Sequence, residues 1–177
     1  MQLPLPDLIR KYRPLSPGDE AIRDRFAAFV ASHPDCLERS LLIGHITASA
    51  WVVNPAGTHV VLVDHRKLHR WLQPGGHADG CPDPECVARM EVQEETGLDD
   101  LDLAGDVPFD LDIHPIPAHR DVPAHDHYDI RYAFRLRTDQ PLVVSDESHQ
   151  VSWVPIGELE AYDPDPSLLR MRDKWRP

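Results

Sequence analysis

The sequence has little cysteine, and the three residues it has do not form a disulfide framework. Cys36, Cys81 and Cys86 are an odd set without C-x-x-C spacing. Such a set fits a reducing compartment, so we expect a cytoplasmic protein in which Cys81 and Cys86 are ordinary loop and helix residues. No stretch approaches the roughly 18 apolar residues of a membrane span, and the first residues lack the apolar core of a signal peptide. We therefore expect no membrane partner.

Clusters of basic residues are also missing, which argues against a nucleic-acid polymer as partner. The formal net charge is -12, from 18 lysines and arginines against 30 aspartates and glutamates. Phosphate backbones are bound through grouped Lys and Arg side chains, and the sequence contains no such run. A small phosphorylated substrate is still compatible with this charge, because a divalent cation held by clustered carboxylates inverts the local field.

Hydrophobic periodicity predicts helices interleaved with strands. Apolar residues at helical spacing predict a helix over Asp19–Ser32, and a second helix runs from Glu85 to Thr96 with Gly97 as its stop. The other predicted segments are strands His45–Val53 and His59–Val63 around a turn at 54–57, a loop over 71–84, a segment over 101–114, a histidine- and proline-rich loop over 115–126, strands His127–Leu136 and Val151–Pro155, and a helix Pro166–Lys174. This order indicates one mixed α/β domain without repeats.

Three glutamates of the second predicted helix share one side. At ~100° per residue, Glu91, Glu94 and Glu95 converge within about a turn. Like charges this close destabilise an exposed helix, so the cluster is expected to take up a cation, and oxygen ligands suit Mg²⁺ or Mn²⁺. For an isolated E-x-x-E-E, a solvated acidic helix face would be the better explanation. The Gly-Gly loop before the helix and the glycine stop after it favour the functional interpretation.

These residues resemble the Nudix box, whose pattern is G-x5-E-x7-R-E-U-x-E-E-x-G-U with U a bulky aliphatic residue. Pro82 stands where the pattern has its first Glu, and Met90 stands where it has Arg. Arg89 does not replace that Arg, because one residue along a helix turns the side chain by ~100° toward another neighbour. The residues that match at the required spacing are Gly76, Glu91, Val92, Glu94, Glu95, Gly97 and Leu98.

The resemblance implies a Nudix-like α/β/α sandwich with a mixed sheet. It implies a single Nudix-type domain over residues 1–177, with an N-terminal helical extension over about residues 1–40. The expected enzyme is a Nudix-type pyrophosphohydrolase that cleaves the diphosphate linkage of a nucleoside diphosphate joined to another moiety, with nucleotide sugars, dinucleotides and nucleoside triphosphates all open. The resemblance also allows a homodimer.

The resemblance assigns roles to particular residues. Glu91, Glu94 and Glu95, with the carbonyl of Gly75, are expected to hold Mg²⁺ or Mn²⁺. The catalytic base is either Glu94 or Glu147, since many Nudix enzymes carry a metal-binding or water-activating glutamate in the loop before a late strand.

Polar residues alternate along the strand His127–Leu136, where His127, Asp129 and Arg131 share a face expected to lie toward water or a cleft. Arg131 is a candidate for binding a substrate phosphate, and Asp129 or His127 is a candidate for orienting Arg131 or contacting a metal ion. An exposed strand face with a local ion pair explains them equally well.

Several histidines lie near the glycines and in the proline-rich loop. His77, which follows the Gly-Gly pair, is predicted to contact substrate. A Zn²⁺ or Mn²⁺ site made of imidazoles is the alternative, but the spacing matches no standard zinc pattern, so a semi-rigid loop that contacts substrate is preferred. The other histidines concerned are His114, His119, His125 and His127.

Two other functions stay open. An enzyme similar to isopentenyl diphosphate isomerase also pairs histidines with glutamates at a metal, but Gln73-Pro74-Gly75 occupies the place of that family's catalytic Cys. A catalytically inactive Nudix-fold ligand-binding module is supported by Pro82 and Met90, and opposed by the three retained glutamates.

Overall fold

The computed structural model describes residues 3–66, 69–146 and 148–176. Within these residues the chain forms four α-helices, eight β-strands and a 3-10 helix. The helices are α1 (Leu5–Lys11), α2 (Pro17–Ser32), α3 (Pro84–Thr96) and α4 (Pro166–Lys174), and the 3-10 helix is Ile156–Tyr162. The strands are β1 (Gly44–Val53), β2 (His59–His65), β3 (Arg70–Leu72), β4 (Gly75–His77), β5 (Leu101–Ala104), β6 (Asp110–Ile116), β7 (His125–Leu136) and β8 (Ser148–Pro155).

The eight strands form one mixed sheet. Its main path runs β3-β2-β1-β7-β5, while β4 pairs with β1, β6 with β7 and β8 with β2. Strands β1 and β7 are parallel, in register from Gly44↔Asp126 to Val53↔Arg135. The other strand pairs are antiparallel. The parallel pair therefore joins two segments that are far apart in the sequence at the centre of the sheet.

Alternate residues of the central strands enter two separate hydrophobic clusters. On β1, Ala48 and Ala50 belong to a cluster that includes residues of α1, α2 and α3. Trp51 and Val53 belong to a second cluster that includes residues of α4 and the 3-10 helix. Because successive strand residues point to opposite faces, the sheet lies between two helical layers. This arrangement confirms the predicted α/β/α sandwich with a mixed sheet.

Local signals explain most of the element boundaries. The side chain of Ser16 accepts a hydrogen bond from the Asp19 N–H at 3.1 Å and caps α2. The Asn54 N–H donates to the His59 carbonyl at 3.0 Å, which closes the predicted β1–β2 hairpin. The predicted helices and main strands are confirmed with shifted ends, since β7 begins at His125 and β8 at Ser148.

Four short elements were not predicted individually, namely α1, β3, β4 and the 3-10 helix. The segment predicted as a loop over 71–84 contains most of β3 and all of β4, and α1 precedes the first predicted helix. Three-residue strands are too short to show an alternation, so only their pairing to β2 and β1 defines them. None of the helices in the described part of the chain combines the length and apolar character needed to cross a bilayer.

Candidate active site

Helix α3 carries the three glutamates and is fixed at both ends. The Asp83 carboxylate accepts hydrogen bonds from the N–H groups of Glu85 at 3.1 Å and Cys86 at 3.3 Å, which caps the first turn. Gly97 ends the helix in the left-handed conformation, with φ of 77°, as its position in the sequence predicts. Buried Val92 holds the helix against the core. The glutamates therefore sit on a helix whose position is well determined.

Two of the glutamates lie against the Gly-Gly strand β4. The Gly75 N–H donates to Glu95 Oε2 at 3.1 Å. A Cβ placed on Gly76 would lie 2.2 Å from Glu91 Oε1, so the Glu91 carboxylate occupies the space that any other residue at 76 would fill. A Cβ on Gly75 would lie 2.3 Å from Ser49 Cβ. Both glycines are thus required by close packing, one against α3 and the other against β1.

The remaining predicted acids are placed differently. Glu94 is exposed on α3, whereas Glu91 and Glu95 are half-buried. Glu147 lies outside the described residues, so its role as a base stays a prediction. The structure brings Glu91, Glu95 and the backbone of Gly75 together, and the metal-binding and catalytic roles of these groups stay predictions.

Arg89 and Met90 behave as the helical geometry predicts. Met90, at the box arginine position, is 47% exposed. Arg89 points elsewhere: its Nε donates to Glu85 Oε1 at 2.9 Å and one NH group donates to the Leu101 carbonyl at 3.0 Å. Its guanidinium carbon lies 4.4 Å from the centre of the Phe134 ring. Arg89 therefore ties α3 to β5 and β7 and does not replace the box arginine.

A different arginine lies near the Gly-Gly strand and is paired with an aspartate. Arg39, in the loop before β1, forms a two-pronged ion pair with Asp79, just after β4. The hydrogen bond from Arg39 lowers the pKa of Asp79. Asp79, together with the more distant charge of Glu91, raises the pKa of Arg39. Arg39 was not predicted as a site residue, because no local pattern links position 39 to the box.

The predicted polar face of β7 is inside the protein. Arg131 is 2% exposed, and its three guanidinium nitrogens donate to Asp129 at 2.7 Å, Asp112 at 3.1 Å and Asp110 at 3.4 Å. Asp129 also accepts hydrogen bonds from Thr47 at 3.0 Å and Ser49 at 2.7 Å on β1. The expectation of a face toward water is therefore wrong for Asp129 and Arg131, because β6, which pairs beside β7, supplies two further carboxylates and α4 lies over this face. The alternative, a face toward a cleft, stays a prediction.

Helix α4 joins the same buried network. Arg170 donates to Asp110 at 2.7 Å and to Asp112 at 2.8 Å, and Lys174 is also paired with Asp110. Burial raises the pKa of Asp112. The charge of Arg131 and the hydrogen bonds from His114 and Arg170 lower it by more than burial raises it, so the pKa of Asp112 lies below its usual range. A carboxylate shared by two cations stays ionised, and the network holds α4 and β6 to the centre of the sheet.

The other end of the polar face is made of histidines. Burial lowers the pKa of His127 to about 2 and that of His77 to about 4, and it also lowers the pKa of His45. The rings of His77 and His127 are therefore neutral at pH 7. Within the described residues, His45 Nε2 and His127 Nε2 are buried without a hydrogen-bond partner. An unsatisfied buried polar atom costs about 1–3 kcal/mol, so two neighbouring ones are unusual.

A mixed sheet between helices, with the glutamates of one helix against a Gly-Gly strand, is the arrangement expected of a Nudix enzyme. The family model of the NUDIX domain matches residues 44–172, more than half of the chain, and the chain therefore belongs to the Nudix family. This membership confirms the resemblance drawn from the box and bears out the predicted class, a Nudix-type pyrophosphohydrolase. No curated protein matches the sequence.

Solved structures share the fold at low sequence identity. The E. coli dihydroneopterin triphosphate pyrophosphohydrolase aligns with a TM-score of 0.59 and 15% identity over 73% of this chain and 93% of that chain. A C. elegans Ap4A hydrolase binary complex aligns with a TM-score of 0.57 and 16% identity over 73% and 93%. The NUDIX domain of Shewanella oneidensis NrtR, in complex with ADP ribose, aligns with a TM-score of 0.52 and 14% identity over 84% and 94%.

Proposed function

We propose that the chain is a divalent-metal-dependent hydrolase that cleaves the diphosphate linkage of a nucleoside diphosphate joined to another moiety. The observation that carries this proposal is the contact between α3 and β4. Glu95 Oε2 accepts a hydrogen bond from the Gly75 N–H at 3.1 Å, and the Glu91 carboxylate fills the space beside Gly76. Two carboxylates thus lie against one stretch of backbone.

The donor set suits Mg²⁺ or Mn²⁺, because both ions prefer oxygen ligands. Glu91, Glu94 and Glu95, with the Gly75 carbonyl, would hold the ion. When bound, it would neutralise charge on the diphosphate oxygens and lower the pKa of a bound water. Glu94 is exposed, and its carboxylate is the base that takes the proton from the attacking water. Glu147 is the competing candidate for this base. No covalent enzyme intermediate is needed.

The substrate is proposed to be small. The net charge of -12 disfavours a polyanionic polymer. The titles of the aligned structures name dihydroneopterin triphosphate, Ap4A and ADP ribose, which all contain linked phosphates. A phosphate contact from Arg131 stays a prediction, although its guanidinium is buried and already donates to three carboxylates.

A substrate screen tests this proposal. Purified protein with Mg²⁺ or Mn²⁺ is incubated with ADP ribose, nucleotide sugars, dinucleoside polyphosphates and nucleoside triphosphates, and products are identified by mass. Glu95→Gln keeps the shape of the side chain and removes its charge, so we expect a loss of about 100-fold or more in kcat/KM. Glu158→Gln, an exposed acid on the 3-10 helix, is the matched control and should leave activity unchanged.

The outcomes separate the rival functions. Activity that persists without metal, or is unchanged in Glu95→Gln, would contradict the proposal. Interconversion of prenyl diphosphates without phosphate release would favour the isomerase. Tight binding of ADP ribose without turnover of any substrate would favour the ligand-binding module. A comparison of Glu94→Gln with Glu147→Gln identifies the base as the variant with the larger loss of kcat, about 100-fold or more.

A further inference from the structure

Three histidines from three strands meet at one end of the polar face. His45 on β1 and His127 on β7 are partners in the parallel register. His77 on β4 pairs with Thr47, two residues further along β1. One ring nitrogen of each histidine lies within 4.8 Å of those of the other two. We call these three residues the histidine cluster.

The cluster contains donor atoms that the protein itself does not use. His45 Nε2 and His127 Nε2 are buried and accept no hydrogen bond from the described residues. His45 Nδ1 lies 3.4 Å from the Leu41 carbonyl. If its proton is directed at that carbonyl, the lone pair of His45 is on Nε2. A backbone carbonyl that fixes the tautomer in this way is the usual neighbour of a metal-binding histidine.

We propose that the histidine cluster binds a transition-metal ion of the Zn²⁺ class. Neutral imidazole suits Zn²⁺, and three histidines with a fourth, open position form one of its common ligand sets. Zn–N bonds of about 2.0–2.1 Å place three tetrahedral nitrogens roughly 3.4 Å apart, so small rotations of the rings suffice to close the cluster. This inference goes beyond the proposed hydrolysis, because Mg²⁺ prefers oxygen and the cluster offers nitrogen.

Two further histidines lie next to the cluster. The His125 ring centre lies 4.9 Å from that of His45, and the His114 ring centre lies 5.4 Å from that of His127. His114 Nδ1 lies 3.1 Å from Asp112 Oδ2. A carboxylate hydrogen-bonded to a histidine ring is a pattern found around bound metals. The cluster is therefore continuous with the buried ion network.

Metal analysis of the full chain tests the proposal. Protein stripped with a chelator is incubated with Zn²⁺, desalted and analysed by mass spectrometry for metal. We expect one zinc per wild-type chain, and a loss of about 100-fold or more in zinc affinity for His127→Ala and for His77→Gln. His149→Ala is the matched control, because His149 is exposed on β8, outside the strands that carry the cluster. It should retain the zinc.

A second variant separates the two metal sites. Glu95→Gln should keep its zinc while losing hydrolysis, whereas His77→Gln should lose its zinc. Co²⁺ should give intense visible absorption in wild type and in Glu95→Gln, and none in His127→Ala. Circular dichroism checks the fold of each variant, and His77→Gln, at a less buried position, covers the case in which His127→Ala does not fold. Equal zinc content in wild type and His77→Gln, or no zinc in wild type, would overturn the proposal.

Discussion

Gly76 offers a direct test of whether the position of Glu91 matters. An alanine methyl at 76 would lie 2.2 Å from Glu91 Oε1 and 2.5 Å from its Cδ. Non-bonded contacts are ordinarily about 3.5 Å, so the carboxylate must retreat by about 1 Å. The obstacle is the end of a flexible side chain, so the fold should survive. A misplacement of about 1 Å can cost about 100-fold in rate, and we expect that loss in kcat/KM for Gly76→Ala.

Two other glycines serve as references for this variant. An added Cβ on Gly157 meets nothing within 4 Å, so Gly157→Ala should keep both activity and stability. An added Cβ on Gly75 would lie 2.9 Å from the Ala48 carbonyl oxygen and would also press against Ser49, so β4 and β1 must separate. Such overpacking costs about 1–3 kcal/mol, which Gly75→Ala should show as lost stability.

The assay combines initial rates with Mg²⁺ on the substrate found in the screen and unfolding in urea for all three variants. Gly76→Ala should have a lower kcat/KM and a nearly unchanged urea midpoint of unfolding. Gly75→Ala should have a lower urea midpoint. Wild-type kcat/KM in a folded Gly76→Ala protein would refute the reasoning that the Glu91 carboxylate must rest against β4.

Two predictions concern the buried ion network. Arg131→Met removes the cation from three carboxylates, so urea unfolding should show a loss of about 3–5 kcal/mol with KM unchanged in protein that remains folded. A raised KM at constant stability would instead support a phosphate contact. The pKa of Asp112 is lower in the folded chain than in the unfolded one, so as the pH falls below about 4 the unfolded chain takes up more protons and stability falls. The urea midpoint should fall between pH 5 and pH 3 in wild type and fall less in Asp112→Asn. An equal fall of the midpoint in the two proteins would contradict this role of Asp112.

The features that could be predicted from the sequence are those set by local signals. The glutamates of α3 follow from the helical period, and Gly97 ends the helix where its position in the sequence predicts. The β1–β2 hairpin follows from its turn residues. Glu91 and Glu95 were also expected beside Gly75, because the box spacing places a glycine loop before the helix.

The features that could not be predicted depend on pairing between distant segments. Arg131 alternates like a surface residue, and it is enclosed by carboxylates on β6 and by α4, which come from other parts of the chain. His45 was not selected as a site residue, because its neighbour His127 is brought to it by the parallel register. Arg39 pairs with Asp79, which is 40 residues away in the sequence, and no local pattern links the two positions.

The parallel pairing of β1 and β7 makes the order of synthesis matter. Thr47 and its acceptor Asp129 are 82 residues apart, so β1 leaves the ribosome long before its partner exists. Until then its polar side chains have no carboxylate to bind, and closing so long a loop is slow. An incomplete chain that ends before β7 therefore lacks the buried network and the third histidine together. Metal retention should therefore begin only after β7 has been synthesised, and resistance to unfolding should rise again when α4 adds Arg170 and Lys174 to the network.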